Sequence, residues 1–90
     1  MPVTVHIHKT HRQFTNGLAA VAVEGRTVGE CLRQLSKQFP EMEKALFAKK
    51  DKLQNNVEIF INDATAYPNE LIKSVKDGDE IHLVVMLAGG

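Results

Sequence analysis

The sequence predicts an α+β domain: a mixed sheet of four to five strands with one main helix packed on one of its faces. Three observations carry this. Apolar and polar residues alternate around Val3, Val5 and Ile7, around Val57, Ile59 and Ile61, and around Ile81, Leu83 and Val85. That period of two marks strands with one buried face. Between the first and second of these segments lies one clearly signalled amphipathic helix, opening at Thr27. Ninety residues make one domain, residues 1–90, with a modest core. One helix across one sheet is the economical way to bury both apolar faces.

Each element follows in order. After the first strand comes a polar loop, residues 9–16, closed by Gly17, in which Phe14 is the apolar residue that pins the loop to the core. Residues 18–23 form a second apolar run ended by Glu24-Gly25, and two neighbouring strands joined by a loop read as a hairpin. Thr27 and Glu30 have the spacing of a capping box, in which each side chain satisfies a free amide of the first helical turn. Val28, Cys31, Leu32, Leu35 and Phe39 then share one stripe, and Pro40 stops the helix. Residues 41–47 read as a short second helix with Met42, Ala45 and Leu46 inward, and residues 48–56 as a charged, amide-rich loop. The third strand, residues 57–61, ends in the turn pair Asn62-Asp63. A short edge strand at 64–67 is cut off by Pro68-Asn69, and Asp77-Gly78-Asp79 turns the chain into the last strand.

Composition narrows the function classes. Eleven basic residues balance eleven acidic ones, so no global charge argues for nucleic acid. One cysteine excludes an internal disulfide and fits a reducing, cytoplasmic setting. No apolar run approaches the roughly 18 residues of a membrane span, and no signal segment opens the chain. Neither a Walker-type phosphate loop nor a dinucleotide fingerprint is present.

The strand–strand–helix–strand–short strand–strand order, running into Met86-Leu87-Ala88-Gly89-Gly90, resembles the ubiquitin-like β-grasp fold. More closely it resembles the MoaD/ThiS family of sulfur-carrier proteins. The matching pieces are Gly25-Arg26-Thr27-Val28-Gly29, Val57-Glu58-Ile59-Phe60-Ile61-Asn62-Asp63, Asp77-Gly78-Asp79-Glu80-Ile81 and Leu87-Ala88-Gly89-Gly90. The loop Arg12-Gln13-Phe14-Thr15-Asn16-Gly17 looks more like the branch that supplies sulfur for cysteine synthesis. The tail lacks the proline that often precedes Ala-Gly-Gly in molybdopterin-synthase subunits, which points away from that pathway.

The resemblance implies a carried co-substrate with no turnover of its own. Residues 85–90 are then an exposed tail whose Gly90 carboxylate is the reacting group. A ubiquitin-activating-like adenylyltransferase, holding ATP and magnesium itself, joins AMP to Gly90. A sulfur donor, such as a sulfurtransferase or cysteine desulfurase, displaces AMP and leaves a thiocarboxylate for an acceptor synthase. Gly89 has no Cβ and lets the stalk enter a narrow slot, while Ala88 and Leu87 help to position it. Five extended residues reach roughly 17 Å. No nucleic acid, membrane, metal or chain-bound cofactor is expected.

Alternation also marks a recognition surface. With Ile59, Ile61, Leu83 and Val85 inward, Glu58, Phe60, His82, Val84 and Met86 face outward. In the resembling fold the first and last strands are parallel neighbours, so His6 and His8 share that open face. Phe60, Val84 and Met86 then form an apolar patch with a polar rim, the kind of surface that marks a partner site.

Other features have plainer readings. His6, His8 and His11 invite a zinc site, but no sequence-local cysteine or carboxylate completes one, and solvent-facing strand histidines are the simpler reading. Cys31 lies on the apolar stripe, where a buried thiol is ordinary. Lys49, Lys50 and Lys52 read as a solvated loop interrupted by Asp51, and Asp77 and Asp79 as turn residues. Two other functions compete with sulfur carriage: a ubiquitin-like modifier joined through Gly90 to lysines, and a β-grasp binding module whose terminal glycines are incidental.

Overall fold

The computed structural model describes residues 2–86. Seven strands, two α-helices and two 3-10 helices follow one another in this span. They are β1 (Val3–His6), a 3-10 turn (Lys9–Phe14), β2 (Ala20–Val23), α1 (Val28–Gln38), α2 (Glu41–Leu46), β3 (Phe47–Lys49), β4 (Lys52–Leu53), β5 (Val57–Ile61), β6 (Ala64–Thr65), a second 3-10 turn (Glu70–Ile72) and β7 (Glu80–Val85). The main sheet has the order β2-β1-β7-β5-β6. β1 pairs antiparallel with β2 and parallel with β7, and β5 pairs antiparallel with both β7 and β6. This is the expected mixed five-stranded sheet.

The core lies between the sheet's inner face and α1. Val3, Val5, Ile59, Ile81 and Leu83 meet Val28, Cys31, Leu32 and Leu35, all buried, and Met42 and Leu46 of α2 close one end. Burying each leucine contributes roughly 1.5–3 kcal/mol. Phe39 and Phe14 pack half-buried against this core, as the sequence pattern indicated. The N-cap forms as predicted, Glu30 donating its backbone N–H to Thr27 Oγ1 (3.1 Å), but the reciprocal bond is shifted by one residue: Glu30 Oε1 accepts the N–H of Arg26, just before the cap (2.8 Å).

Two segments depart from expectation. The polar loop at 9–16 contains a 3-10 turn, with His8 as its cap: Thr10 donates its backbone N–H to His8 Nδ1 at 3.2 Å. The charged stretch at 48–56 is partly a hairpin, β3 against β4, with Phe47 opposite Leu53. These two apolar residues bracket the Lys49-Lys50-Asp51-Lys52 run and pack against the core, which folds the charges into a turn. Arg33 of α1 meets Asp51 across 2.8 Å, an exposed pair of little energetic weight.

The glycines flanking the start of α1 are there for space. A Cβ on Gly25 would sit 2.9 Å from both the backbone nitrogen and Sγ of Cys31. On Gly29 it would sit 2.9 Å from the Leu71 carbonyl oxygen. The chain after β6 is thereby drawn close to the helix: Val28 donates to the Lys73 carbonyl (3.0 Å) and Val75 to that of Arg26 (2.9 Å). Gly29→Ala is therefore expected to lose about 1–3 kcal/mol by overpacking, although alanine is the better helix former by about 1 kcal/mol. Urea denaturation checks this, and a stabilised variant would contradict the packing argument.

Candidate functional site

The strand that leads to the tail is the middle strand of the sheet. β7 is hydrogen-bonded to β1 on one edge and to β5 on the other, in the registers His6–His82 and Phe60–His82. Just past its end, Met86 donates its N–H to the carbonyl of Asn56, at the end of the β4–β5 connection, at 2.7 Å. Leu87, Ala88, Gly89 and Gly90 lie outside the described residues.

The start of β7 is fixed by a compact polar joint. Asn62 adopts a left-handed backbone, φ 54°, to turn between β5 and β6, a conformation asparagine tolerates better than most residues. Its backbone N–H donates to the Glu80 carbonyl (2.7 Å), and its side-chain oxygen accepts the Glu80 N–H (3.1 Å). Its side-chain nitrogen donates to Asp79 Oδ1 (3.3 Å), while Asp79 Oδ2 accepts the Lys76 N–H (3.0 Å). Asp79 is buried. The Lys76 amide, then the Asn62 amide, hold its carboxyl below the usual range. Gly78 supplies the positive φ of the turn, 87°. Asp79 thus works in a turn, as the intervening glycine indicated.

On the open face, alternation places the outward residues as expected. Phe60 and Val84 are half-buried, and Met86 is 53% exposed. Phe60 is opposite His82 and Val84 opposite Glu58, so Phe60 and Val84 are diagonal neighbours across β5 and β7. At the β6 edge of the sheet a groove is lined by Met86, Phe60 and Tyr67 together with the core-side residues Leu53, Val57 and Ile59. Tyr67 is 74% exposed and extends the apolar surface beyond the residues singled out from the sequence. Its cue was a lone aromatic placed just before Pro68 at the sheet edge.

The three histidines considered as one metal site do not come together. His8 leaves the strand to cap the 3-10 turn, and His11 is buried beside Phe14, ring centroids 6.1 Å apart. Burial, with a smaller contribution from His8, pushes the His11 pKa down. His6 instead stacks on His82, centroids 4.4 Å apart and planes 7° from parallel, and its Nε2 lies 2.6 Å from Glu80 Oε1. The period-two pattern shows that these side chains share a face; it does not show their register.

Cys31 is fully buried. Burial, reinforced by Glu30 and then Glu24, pushes its thiol up to about 11. A protonated, buried thiol has no nucleophilic role. Among the described residues, no helix is long and apolar enough to cross a membrane.

A five-stranded mixed sheet gripping one main helix, with its middle strand leading to a Gly-Gly end, defines a ubiquitin-like β-grasp protein. The chain belongs to the ThiS family, whose pattern matches residues 5–90. It aligns over 93 residues with the sulfur carrier protein CysO of Mycobacterium tuberculosis, 29% identical and covering all of both chains. Among solved structures, a chain of the Amycolatopsis orientalis BexX/CysO complex superposes with TM-score 0.88 at 29% identity, covering 98% of this chain and 99% of that one. Small archaeal modifier protein 1 of Methanosarcina acetivorans superposes with TM-score 0.85 at 25% identity, covering 98% and 95%. The family expected from the sequence is the family found, and the CysO relatives accord with the expected branch.

The buried thiol generates a direct prediction. In the native protein Cys31 should resist a thiol-disulfide dye at pH 8 and react stoichiometrically once guanidinium unfolds the chain. Rapid labelling of the folded state would contradict its placement.

Proposed function

We propose that the chain is a sulfur carrier in which the Gly90 carboxylate is the loading point and the folded body is the handle that enzymes grip. The observation that supports this best is the end-to-end alignment with CysO sulfur carriers, tail included. The geometry accords with it: β7 is held by β1 over its first half and by β5 through Val85, and Met86 at its end lies beside the apolar residues Phe60 and Val84.

The chemistry follows from the acid itself. A carboxylate is a poor acyl donor because its leaving group would be oxide. Attack of the Gly90 oxygen on the α-phosphorus of ATP, with loss of pyrophosphate, replaces that oxide with AMP. Sulfide-level sulfur from a donor then forms a C–S bond as the C–O bond to AMP breaks. The product is a terminal thiocarboxylate whose sulfur is nucleophilic. In this scheme ATP and magnesium sit in the activating partner, and the chain itself is a co-substrate.

Phe60, Val84 and Met86, with Leu87 and Ala88 beyond them, form the gripping surface, and Gly89 passes the partner's slot. A CysO chain has been solved in complex with BexX, which supports partner docking as the working mode of such a body. The relatives' names favour cysteine-type synthesis as the destination of the sulfur, ahead of molybdopterin synthesis. The likeness to an archaeal modifier protein keeps one second reading, conjugation of Gly90 to lysines. Gly-Gly remnants on lysines of other proteins would mark it.

The test is incubation with the adenylating enzyme of the source cell and ATP, read by intact mass. A mass gain of one adenylyl group is expected on the wild type and none on a chain lacking Gly90. Phe60→Ala, outside the core cluster, should raise the KM for the partner by roughly tenfold or more with little change in Tm. A wild-type chain that gains no adenylyl group under these conditions would refute the loading scheme.

A further inference from the structure

We propose that the open face of the sheet carries a binding site for a first-row divalent metal ion, zinc foremost, formed by His6, Glu80 and His82. One nitrogen of each imidazole and one carboxylate oxygen all lie within 4.8 Å of one another. The three residues come from opposite ends of the chain, His6 and Glu80 being 74 positions apart. The sheet gathers them. β1 and β7 run parallel with His6 opposite His82 and Thr4 opposite Glu80, so the alternation of both strands aims all three side chains outward on one face.

The backbone under the site is firm. His82 is on the sheet's middle strand. Glu80 is clamped through both its N–H and its carbonyl to Asn62. Only side-chain torsions need to change on binding. Zinc bonds of roughly 2.0–2.2 Å require donor atoms about 3.3 Å from one another, so donors now up to 4.8 Å apart must be drawn in by side-chain rotation. The two stacked rings must splay so that their nitrogens converge, and the ion takes over the carboxylate oxygen that His6 now contacts. Both losses are small, because the pair is half exposed and its hydrogen bond competes with water.

The donor set decides the class of ion. Two imidazole nitrogens and one carboxylate oxygen suit zinc, copper(II) or nickel. Magnesium and calcium favour oxygen-only sites with more ligands. Three protein donors leave a fourth position open for water or for a group of a docked partner. Phe60, opposite His82 on the other side, sets the site at the edge of the apolar patch, so a bound ion could bridge to whatever covers that patch. The site stands independently of the carrier scheme.

The experiment is a calorimetric zinc titration of metal-stripped, tag-free protein, with histidine-ring NMR on the same sample. One zinc per chain is expected, with ring resonances of His6 and His82 shifting and those of His8 and His11 staying in place. His6→Asn and His82→Asn should each weaken binding by at least about tenfold. His8→Asn, which keeps a capping acceptor, should leave it unchanged, and excess magnesium should not compete. Absence of stoichiometric binding, equal loss in His8→Asn, or shifts centred on His8 or His11 would overturn the assignment. The NMR readout on the unaltered chain keeps the test decisive even if a variant unfolds.

Discussion

The pairing of β7 on both edges is the constraint on which the rest of the molecule depends. An edge strand could fray or swing, whereas this one is held by β1 over Glu80–His82 and by β5 over Ile81–Val85. Its inward residues, Ile81 and Leu83, lock it to α1 through the core. Its first residue is clamped by Asn62, and the residue after its end donates to Asn56. Met86 is therefore held at a defined place and in a defined orientation to the body. A carrier needs that combination, because an enzyme gripping the body must find the reactive end at a reproducible distance.

The short motifs that resemble the family have physical explanations in the fold. Ile61-Asn62-Asp63 and Asp77-Gly78-Asp79-Glu80 are two halves of one hydrogen-bonded joint, the β5–β6 turn laid against the entry to β7. Gly25-Arg26-Thr27-Val28-Gly29 combines a helix N-cap with two close backbone approaches, to Cys31 and to Leu71. Each keeps an element at its required spacing from β7 or from the core. These motifs act through backbone spacing and hydrogen bonds.

Much of this was legible in the residues alone. The long strands, the helix with its cap and the Asp-Gly-Asp turn carry local signals: a period, a capping pair, a positive-φ glycine. The outward placement of Phe60, Val84 and Met86 followed from the same period. What stayed hidden was non-local or too short to have a period. The β3–β4 hairpin has strands of three and two residues, and only the apolar pair Phe47 and Leu53 around a charged run hints at it. The 3-10 turn depends on His8 acting as a cap, which an alternating pattern disguises. The meeting of His6 with Glu80 and His82 is a matter of strand register between the two ends of the chain. Alternation gives the face of a residue, not its neighbour across the sheet.

The central claim concerns a single atom, the terminal oxygen that sulfur is to replace. It is tested most directly by the mass of the C-terminal peptide from protein purified out of its own cells, after removal of the enzyme that consumes the loaded form. The account predicts a peptide ending at Gly90 with one oxygen exchanged for sulfur, accumulating because nothing unloads it. A peptide that keeps its plain carboxylate there, or that continues past Gly90 unprocessed, would contradict it.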